Sequence, residues 1–180
     1  FMIYTTKIPS PAGKITLASD GIHLIGLWFD GQQYFAHTIK EETKENPGLF
    51  IFTQTRDWLD RYFSGRQPAV RELSLRPDGS VFRREVWKLL CEIPYGEVTT
   101  YGAIARKIAA GRGQEKMSAQ AVGGAIGHNP ISIIIPCHRV IGSDGSLTGY
   151  GGGLELKQKL LTFEKQTAEE PVNYADVLGT

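Results

Sequence analysis

The segment SIIIPCHRVIG, residues 132–142, ends an apolar run with Cys137 and follows it at once with His138 and Arg139. The thiolate is the nucleophilic form of cysteine, and positive or hydrogen-bonding neighbours favour it. A cysteine that only fills a core needs no such neighbours. We therefore interpret Cys137 as a candidate nucleophile, with a packed core thiol as the alternative.

Three kinds of chemistry would use a cysteine beside a histidine. Acyl transfer usually takes its base from a distant part of the chain. Adjacent residues of an extended chain point to opposite sides, so His138 reaches Cys137 only across a bend or through water. Metal binding lacks ligands, because neither Cys91 nor Cys137 belongs to a CxxC motif or to a cluster of cysteines and histidines. Alkyl transfer to sulfur needs only a thiolate, a proton acceptor and a donor for the leaving group.

The segment GLELKQKLLTFEKQ, residues 153–166, predicts a helix that places Glu164 on the same face as Leu160 and Leu161. An unpaired buried carboxylate is costly. We expect Glu164 either to pair with a basic group or to reach solvent at the margin of the helix.

The predicted helices and strands that would position these residues indicate an α+β fold. In residues 1–78, three short segments rich in β-branched or aromatic residues predict a small antiparallel meander: MIYTTKI, KITLASD and IHLIGLWF. The segment FTQTRDWLDRYFSG then predicts one helix that stops at Gly65. Residues 133–135 predict a buried strand leading to Cys137.

Residues 79–166 predict a mostly helical domain. Ser80 caps a first helix whose inner face includes Val81 and Val86, and Pro94 ends it. Thr99 or Thr100 caps a second helix, and Ser118 a third. The last two resemble a helix-turn-helix with a long turn. Residues 167–180 are acidic, and we expect this tail to be loosely ordered.

The third helix, SAQAVGGAIG, consists almost entirely of small residues. Each glycine inside a helix costs roughly 1 kcal/mol relative to alanine, so close approach of another group must compensate. That group is either a neighbouring helix or a nucleic acid groove.

Composition and charge limit the function classes. The 180 residues are 41% hydrophobic and 22% charged, as in globular proteins, with apolar runs too short for a membrane span and no signal-peptide pattern. Two cysteines cannot build a disulfide framework. Residues 79–139 carry eight basic and four acidic side chains, which indicates either a polyanion partner or a solvated charged face.

Three segments strongly resemble the O6-alkylguanine-DNA alkyltransferase family: IPYGEVTTYGAIA, AVGGAIGHNPISIIIPCHRVIG and GSLTGYGGGLELKQKLLTFE. The resemblance covers residues 80–166; the N-terminal part matches only in its expected plan, a ribonuclease-H-like sheet with a helix. The resemblance implies irreversible transfer of an alkyl group from O6-alkylguanine in DNA, or from O4-alkylthymine, to Cys137. Each molecule would react once, with no cofactor and no metal.

The resemblance also implies roles for residues around Cys137. His138 would act through a water molecule, oriented by Glu164. Asn129 would hold the turn around the active site, and Tyr101 would help the guanine to leave. The pocket for the base would be formed by Tyr150 and Gly151 and by backbone carbonyls near Cys137 and Val140.

The resemblance further implies binding of double-stranded DNA through the minor groove, with the alkylated base flipped out of the stack. The implied contacts are Thr100, Ser118, Gln120, Ala121, Gly124, Ile126 and Arg139, with Ile126 widening the groove. The family commonly has an arginine where this chain has Gln120, which carries no charge and stacks less well. We expect Arg112 and Lys116, in the long turn, to contact phosphates.

From these features we expect a monomeric, cytoplasmic DNA-repair enzyme, associated with the nucleoid if bacterial. One alternative is a protein of the alkyltransferase-like branch that binds alkyl lesions without reacting; that branch lacks the acceptor cysteine. Another is a cysteine hydrolase, which would turn over without DNA.

Overall fold

The computed structural model describes residues 1–178, and its N-terminal part contains a four-stranded sheet. Strands β1 (Met2–Ile8), β2 (Ile15–Ser19) and β3 (Leu24–Phe29) form the expected antiparallel meander. A fourth strand, β4 (Glu42–Glu45), pairs with β1 in parallel, giving the order β3-β2-β1-β4. This strand was not predicted, because its four residues are all exposed and show no alternation of apolar and polar side chains.

Helix α1 (Phe50–Phe63) packs on this sheet. Its buried side chains recur at helical spacing, as expected: Ile51, Phe52, Thr55, Trp58, Leu59, Tyr62 and Phe63. The helix ends before Gly65, which adopts a φ of 78° that few other residues tolerate. The buried face of α1 thus carries apolar side chains together with one phenol, that of Tyr62.

The C-terminal part contains helices α2 (Val81–Leu90), α3 (Tyr101–Gly111) and α4 (Ala119–Gly127). Ser80, Thr100 and Ser118 cap them, each side-chain oxygen accepting a hydrogen bond from the backbone N–H three residues later, which confirms the expected starts.

The expected inner face of α2 was wrong at its first residue. Val81 lies in the first turn and is 71% exposed, whereas Trp87 is buried and donates from Nε1 to the carbonyl of Ala125 at 2.8 Å. Trp87 therefore fixes α2 against α4.

Residues 131–141 are largely buried, but they do not form the expected strand. Ile131 makes a single bridge to Leu27 of β3, and the chain then turns, with Ile133 at a φ of 67°. A short 3₁₀ helix (Cys137–Arg139) follows, and β6 (Val140–Ile141) pairs in parallel with β5 (Thr99–Thr100). Apolar composition indicates burial equally for a strand and for a packed turn, and here the turn lies in the core.

Helices α5 (Leu154–Thr167) and α6 (Tyr174–Leu178) end the described chain. Residues 168–173 are exposed and form neither helix nor strand, but Tyr174 is buried, with its ring 5.4 Å from Phe63 and 5.1 Å from Phe163, so the tail packs on the core at this point. Residues 179–180 lie outside the described part. The α+β fold class is confirmed. Among the described residues, no helix is both long and apolar enough to cross a membrane.

Candidate active site

Asn129 organises the buried turn that leads to Cys137. Its Nδ2 donates to the carbonyls of Ile131 (3.3 Å) and Ile135 (2.9 Å), and its Oδ1 accepts from the N–H of Ile131 (3.0 Å). Asn129 is itself buried. These bonds pair backbone groups that lie outside any helix or strand. One amide side chain therefore holds the turn, as the family resemblance implied.

Cys137 begins the 3₁₀ helix and is 6% exposed. Burial raises the pKa of its thiol, while the nearby Asn129 amide and the charge of Lys157 act in the opposite direction. Because the net shift is upward, the resting group is a thiol. Nucleophilic attack therefore requires a nearby base.

His138, the next residue in the chain, is the candidate for that base. Its Nε2 lies 2.6 Å from Oε2 of Glu164, whereas its Nδ1 is buried with no hydrogen-bond partner among residues 1–178. Burial lowers the pKa of the imidazole, although the Glu164 carboxylate opposes the shift. We assign a neutral ring that donates from Nε2 to Glu164 and keeps the Nδ1 lone pair free for a proton.

Glu164 is 1% exposed, so it is paired with basic groups and does not reach solvent at the margin of the helix. Besides His138, its oxygens accept from the Tyr62 hydroxyl (2.6 Å) and from Nε of Arg139 (2.7 Å). Burial alone would raise the pKa of this carboxyl, but His138 and Arg139 outweigh burial and hold the pKa well below its usual range. A stable negative charge thus lies behind the imidazole.

Tyr62 was not identified from the sequence. It lies 102 residues before Glu164, on α1, so the N-terminal part completes the hydrogen bonding of the active-site carboxylate. Burial raises the pKa of the phenol well above its usual value, and its negative neighbour adds to the shift. The available signal was a phenol on a buried helical face, since a buried tyrosine hydroxyl usually finds a partner.

The expected contact between Arg139 and DNA was wrong. The residue is 8% exposed, and its guanidinium bonds both oxygens of Glu164 and the carbonyl of Ile93 (2.7 Å). Its Cζ also lies 5.5 Å from the ring centre of Tyr95. All of these partners are internal, so Arg139 is a buried counter-charge and cannot reach a phosphate.

A cavity of about 640 Å³ opens above Cys137. It brings together many of the expected residues from α3, α4 and the loop before α5, and it lies within the size range of small-molecule sites. Its lining comprises Gln33, Tyr101, Ala119, Gln120, Gly123, Gly124, Ile126, Gly127, Cys137, Thr148, Gly149, Tyr150 and Gly151. Val140 is fully buried beside β5 and does not line the cavity, which corrects its expected place in the pocket wall.

Lys157 fixes the loop at one side of this cavity and was also missed from the sequence. Its Nζ donates to the carbonyls of Thr148 (2.9 Å) and Gly149 (3.2 Å), and lies 5.8 Å from the ring centre of Tyr101. Burial lowers the pKa of the ammonium group, which the Cys137 thiolate would oppose. The available signal was spacing, because Lys157 shares the inner face of α5 with Leu160 and Glu164.

The two cavity tyrosines differ in their hydrogen bonding. The Tyr101 hydroxyl donates to the carbonyl of Thr148 at 2.8 Å. The Tyr150 ring meets His138 edge-on at 6.4 Å, and its hydroxyl is buried without a well-formed hydrogen bond among the described residues, although Ser132 is near enough to affect its pKa. The Tyr101 phenol thus already has an acceptor, whereas the Tyr150 phenol lies at the cavity wall without one among the described residues.

The outer face of α4 presents Gln120, Ala121 and Gly124 to solvent, as expected for a slim interface helix. Ile126 does not belong to this face, because it is 6% exposed and packs in the core. Its side chain also lines the cavity, and the widening of a groove by Ile126 stays a prediction.

The turn before α4 is basic and exposed. Arg112 pairs with Glu85 (2.6 Å) and stacks over Phe82, while Lys116 is exposed. No group of three or more histidine, cysteine, aspartate or glutamate side chains within residues 1–178 is arranged to hold a metal ion.

Two family models match the chain. Residues 3–77 match the ribonuclease-like domain of 6-O-methylguanine DNA methyltransferase, and residues 81–166 match its DNA binding domain. Together they span most of the chain.

Curated relatives and solved structures agree with these models. A methylated-DNA–protein-cysteine methyltransferase of Haemophilus influenzae is 42% identical over 91% of this chain and 87% of its own. One of Mycobacterium tuberculosis is 44% identical over 97% of this chain and 100% of its own. The crystal structure of M. tuberculosis OGT in complex with DNA superposes with a TM-score of 0.78 at 42% identity, over 93% of this chain and 94% of that one. With two family models that span most of its length and relatives 42% and 44% identical over most of it, this chain belongs to the 6-O-methylguanine DNA methyltransferase family.

Proposed function

We infer that this protein repairs DNA by moving the alkyl group of O6-alkylguanine irreversibly to Cys137. The observation that carries this inference is the position of Cys137, which lines a base-sized cavity while a hydrogen-bonded His138–Glu164 pair lies behind it. The names of the relatives, at 42% and 44% identity over nearly the whole chain, support the same chemistry. O4-alkylthymine would be a second substrate with the same type of bond.

The reaction needs one displacement. The Cys137 sulfur forms a bond to the alkyl carbon, the bond from that carbon to guanine O6 breaks, and its electrons stay on the base. The thiol proton passes through a water molecule to the free Nδ1 of His138, whose resulting charge Glu164 stabilises. The Tyr101 hydroxyl would turn from Thr148 to hydrogen-bond the leaving base. No step restores the thiol, so each molecule reacts once.

The DNA must deliver its base into the cavity. Cys137 is 6% exposed, and a base stacked inside a duplex cannot reach it, so the alkylated nucleotide must leave the stack. We propose that α4 enters the minor groove, which is only about 6 Å wide and suits a helix of small residues. Gln120 would take the place of the flipped base, with Ala121 and Gly124 against the groove walls and Thr100 and Ser118 near the backbone.

We further propose that the chain acts as a monomer in the cytoplasm, near the nucleoid in a bacterium. Residues 1–78 would support the site through Tyr62, and residues 79–166 would bind DNA and react. A lesion-binding protein that does not react remains the second candidate, but it would not need the His138–Glu164 pair behind a cysteine.

One experiment separates these functions. The protein is incubated with a duplex that carries O6-methylguanine, and its intact mass is then measured. A stoichiometric gain of one methyl group supports transfer. Tight lesion binding without a mass change supports the second candidate, and hydrolytic turnover without DNA supports a cysteine hydrolase. The Cys137→Ser variant should bind the duplex and gain no mass.

A further inference from the structure

Gln33, from the loop after β3, forms part of the wall of the cavity that holds Cys137. The family motifs around the active site all lie within residues 80–166, so this residue belongs to none of them. Its side chain is exposed at the cavity mouth. The N-terminal part thus contributes to the substrate cavity as well as to the carboxylate behind His138.

The backbone of Gln33 is fixed to the rest of the cavity. Its N–H donates to the carbonyl of Gly151 at 3.0 Å, which ties it to the loop of Tyr150. The preceding Gln32 is 8% exposed, and its Oε1 accepts from the N–H of Phe29 (2.8 Å) and from the Ser132 hydroxyl (3.3 Å). On this side the loop cannot move away without breaking buried hydrogen bonds.

The following residue fixes the loop on its other side. Tyr34 stacks on His128, with ring centres 4.1 Å apart and planes at 26°, and Nδ1 of His128 lies 2.7 Å from the carbonyl of Gly124 in α4. Tyr34 also holds a φ of 60°, a conformation that its surroundings must maintain. Gln33 therefore lies between two anchors, and only its side chain is free to respond to a ligand.

Apart from the exposed Gln120, which we place against the DNA, the other parts of the cavity wall have few side chains that could change position. The α4 side consists largely of small residues, namely Ala119, Gly123, Gly124 and Gly127. Tyr101 is bonded to Thr148, and the Tyr150 hydroxyl is buried. Gln33 is the residue of the N-terminal part that lines the cavity, and its side chain is exposed at the mouth.

We propose that Gln33 is a specificity-determining residue that limits the size of the alkyl group transferred to Cys137. This inference rests on the proposed function. A methyl group leaves the mouth of the cavity open, whereas a bulky group such as benzyl must share the mouth with the Gln33 side chain. Shortening this side chain should therefore favour the larger group selectively.

The test measures single-turnover transfer rates to wild type and Gln33→Ala from two duplexes that differ only in O6-methylguanine or O6-benzylguanine. We expect the benzyl-to-methyl rate ratio to rise about tenfold in Gln33→Ala, the size of effect a pocket gains or loses with a few buried carbons. Gln33→Phe should lower the ratio. Gln158→Ala, on α5 away from the cavity lining, is the matched control and should keep the wild-type ratio.

The outcomes distinguish this inference from the function on which it rests. An unchanged ratio in both Gln33 variants, or an equal loss of both rates, would overturn the specificity role while transfer itself stands. If wild-type protein takes no methyl group onto Cys137, the proposed function fails, and the role of Gln33 fails with it.

Discussion

Nε2 of His138 and Oε2 of Glu164 lie 2.6 Å apart, and both side chains are almost completely removed from solvent. The two residues are 26 positions apart in sequence, yet this bond decides which nitrogen of the imidazole carries the proton. Because Glu164 accepts from Nε2, Nδ1 remains a proton acceptor on the ring beside Cys137. Helix α5 thus positions the carboxylate that prepares His138 to accept the thiol proton.

Replacing Glu164 by Gln tests the importance of the negative charge. The variant should lose about 3–5 kcal/mol of unfolding free energy, because Arg139 would remain buried without its counter-charge. Transfer should slow by about 100-fold, because the imidazole loses its orientation and the stabilisation of its charged form. Urea unfolding and single-turnover transfer measure the two effects.

Glu155→Gln is the matched control, since Glu155 lies on the same helix in an exposed pair with Lys159. It should change stability by less than about 1 kcal/mol. Equal stability of the two variants would contradict a structural role for the Glu164 charge.

The burial of His138 predicts the direction of its pH dependence. Its pKa is lowered from the usual 6.5, with burial as the main cause. As pH falls below 6.5, the unfolded chain binds the proton before the folded one, so stability should decline until the folded pKa is reached. NMR titration of the imidazole measures the folded value directly. A pKa of 6.5 or higher in the folded protein would contradict the downward shift that burial predicts.

His37 is the comparison for stability, because burial also lowers its pKa. Each histidine contributes part of the loss of stability below pH 6.5. That loss should therefore be smaller in His37→Gln and in His138→Gln than in wild type. Only His138→Gln should also slow alkyl transfer.

Lys157→Met should slow transfer on the order of 100-fold, because the loop that carries Thr148 and Gly149 would lose its anchor and misplace the cavity wall. DNA affinity should stay close to wild type. Lys159→Met is the control, since Lys159 is 45% exposed and pairs only with Glu155 among the described residues. If both variants react at the wild-type rate, the loop does not need the buried ammonium group.

Charge reversal at Arg112 and Lys116 should weaken DNA binding. The slope of log affinity against log salt concentration should become shallower by about 1 for each phosphate that the turn no longer neutralises. Arg112→Glu also breaks the pair with Glu85, but exposed pairs contribute only about 0–1 kcal/mol, so the fold should persist. Lys14→Glu, in the turn before β2, controls for the change in net charge of each reversal made singly. Binding and salt dependence equal to those of Lys14→Glu would exclude phosphate binding by this turn.

Local signals in the sequence were sufficient for several parts of the structure. Helix starts depend on a single capping oxygen, so Ser80 and Ser118 were identifiable without any tertiary information, and the second start was narrowed to Thr99 or Thr100. The unusual order Cys137–His138 likewise indicated chemistry on its own.

Other features depend on contacts between distant segments. Arg139 looked like a DNA contact because its destination is set by Glu164, 25 residues away. Tyr62 and Gln33 join the site only when the N-terminal part packs against the C-terminal one. Tyr174 orders the tail by packing against Phe63 and Phe163. Hydrophobic periodicity cannot reveal such pairings, because it describes one element at a time.

Cys137 is consumed by its own reaction in this mechanism, and peptide mapping after exposure to a duplex with O6-methylguanine detects that consumption. Cys91 provides an internal control, since burial raises the pKa of its thiol to about 11 and it does not line the cavity. We predict one methyl group per molecule, on the peptide that carries Cys137, with none on Cys91 and no second turnover. A methyl group on Cys91, or repeated turnover with Cys137 unmodified, would contradict the account.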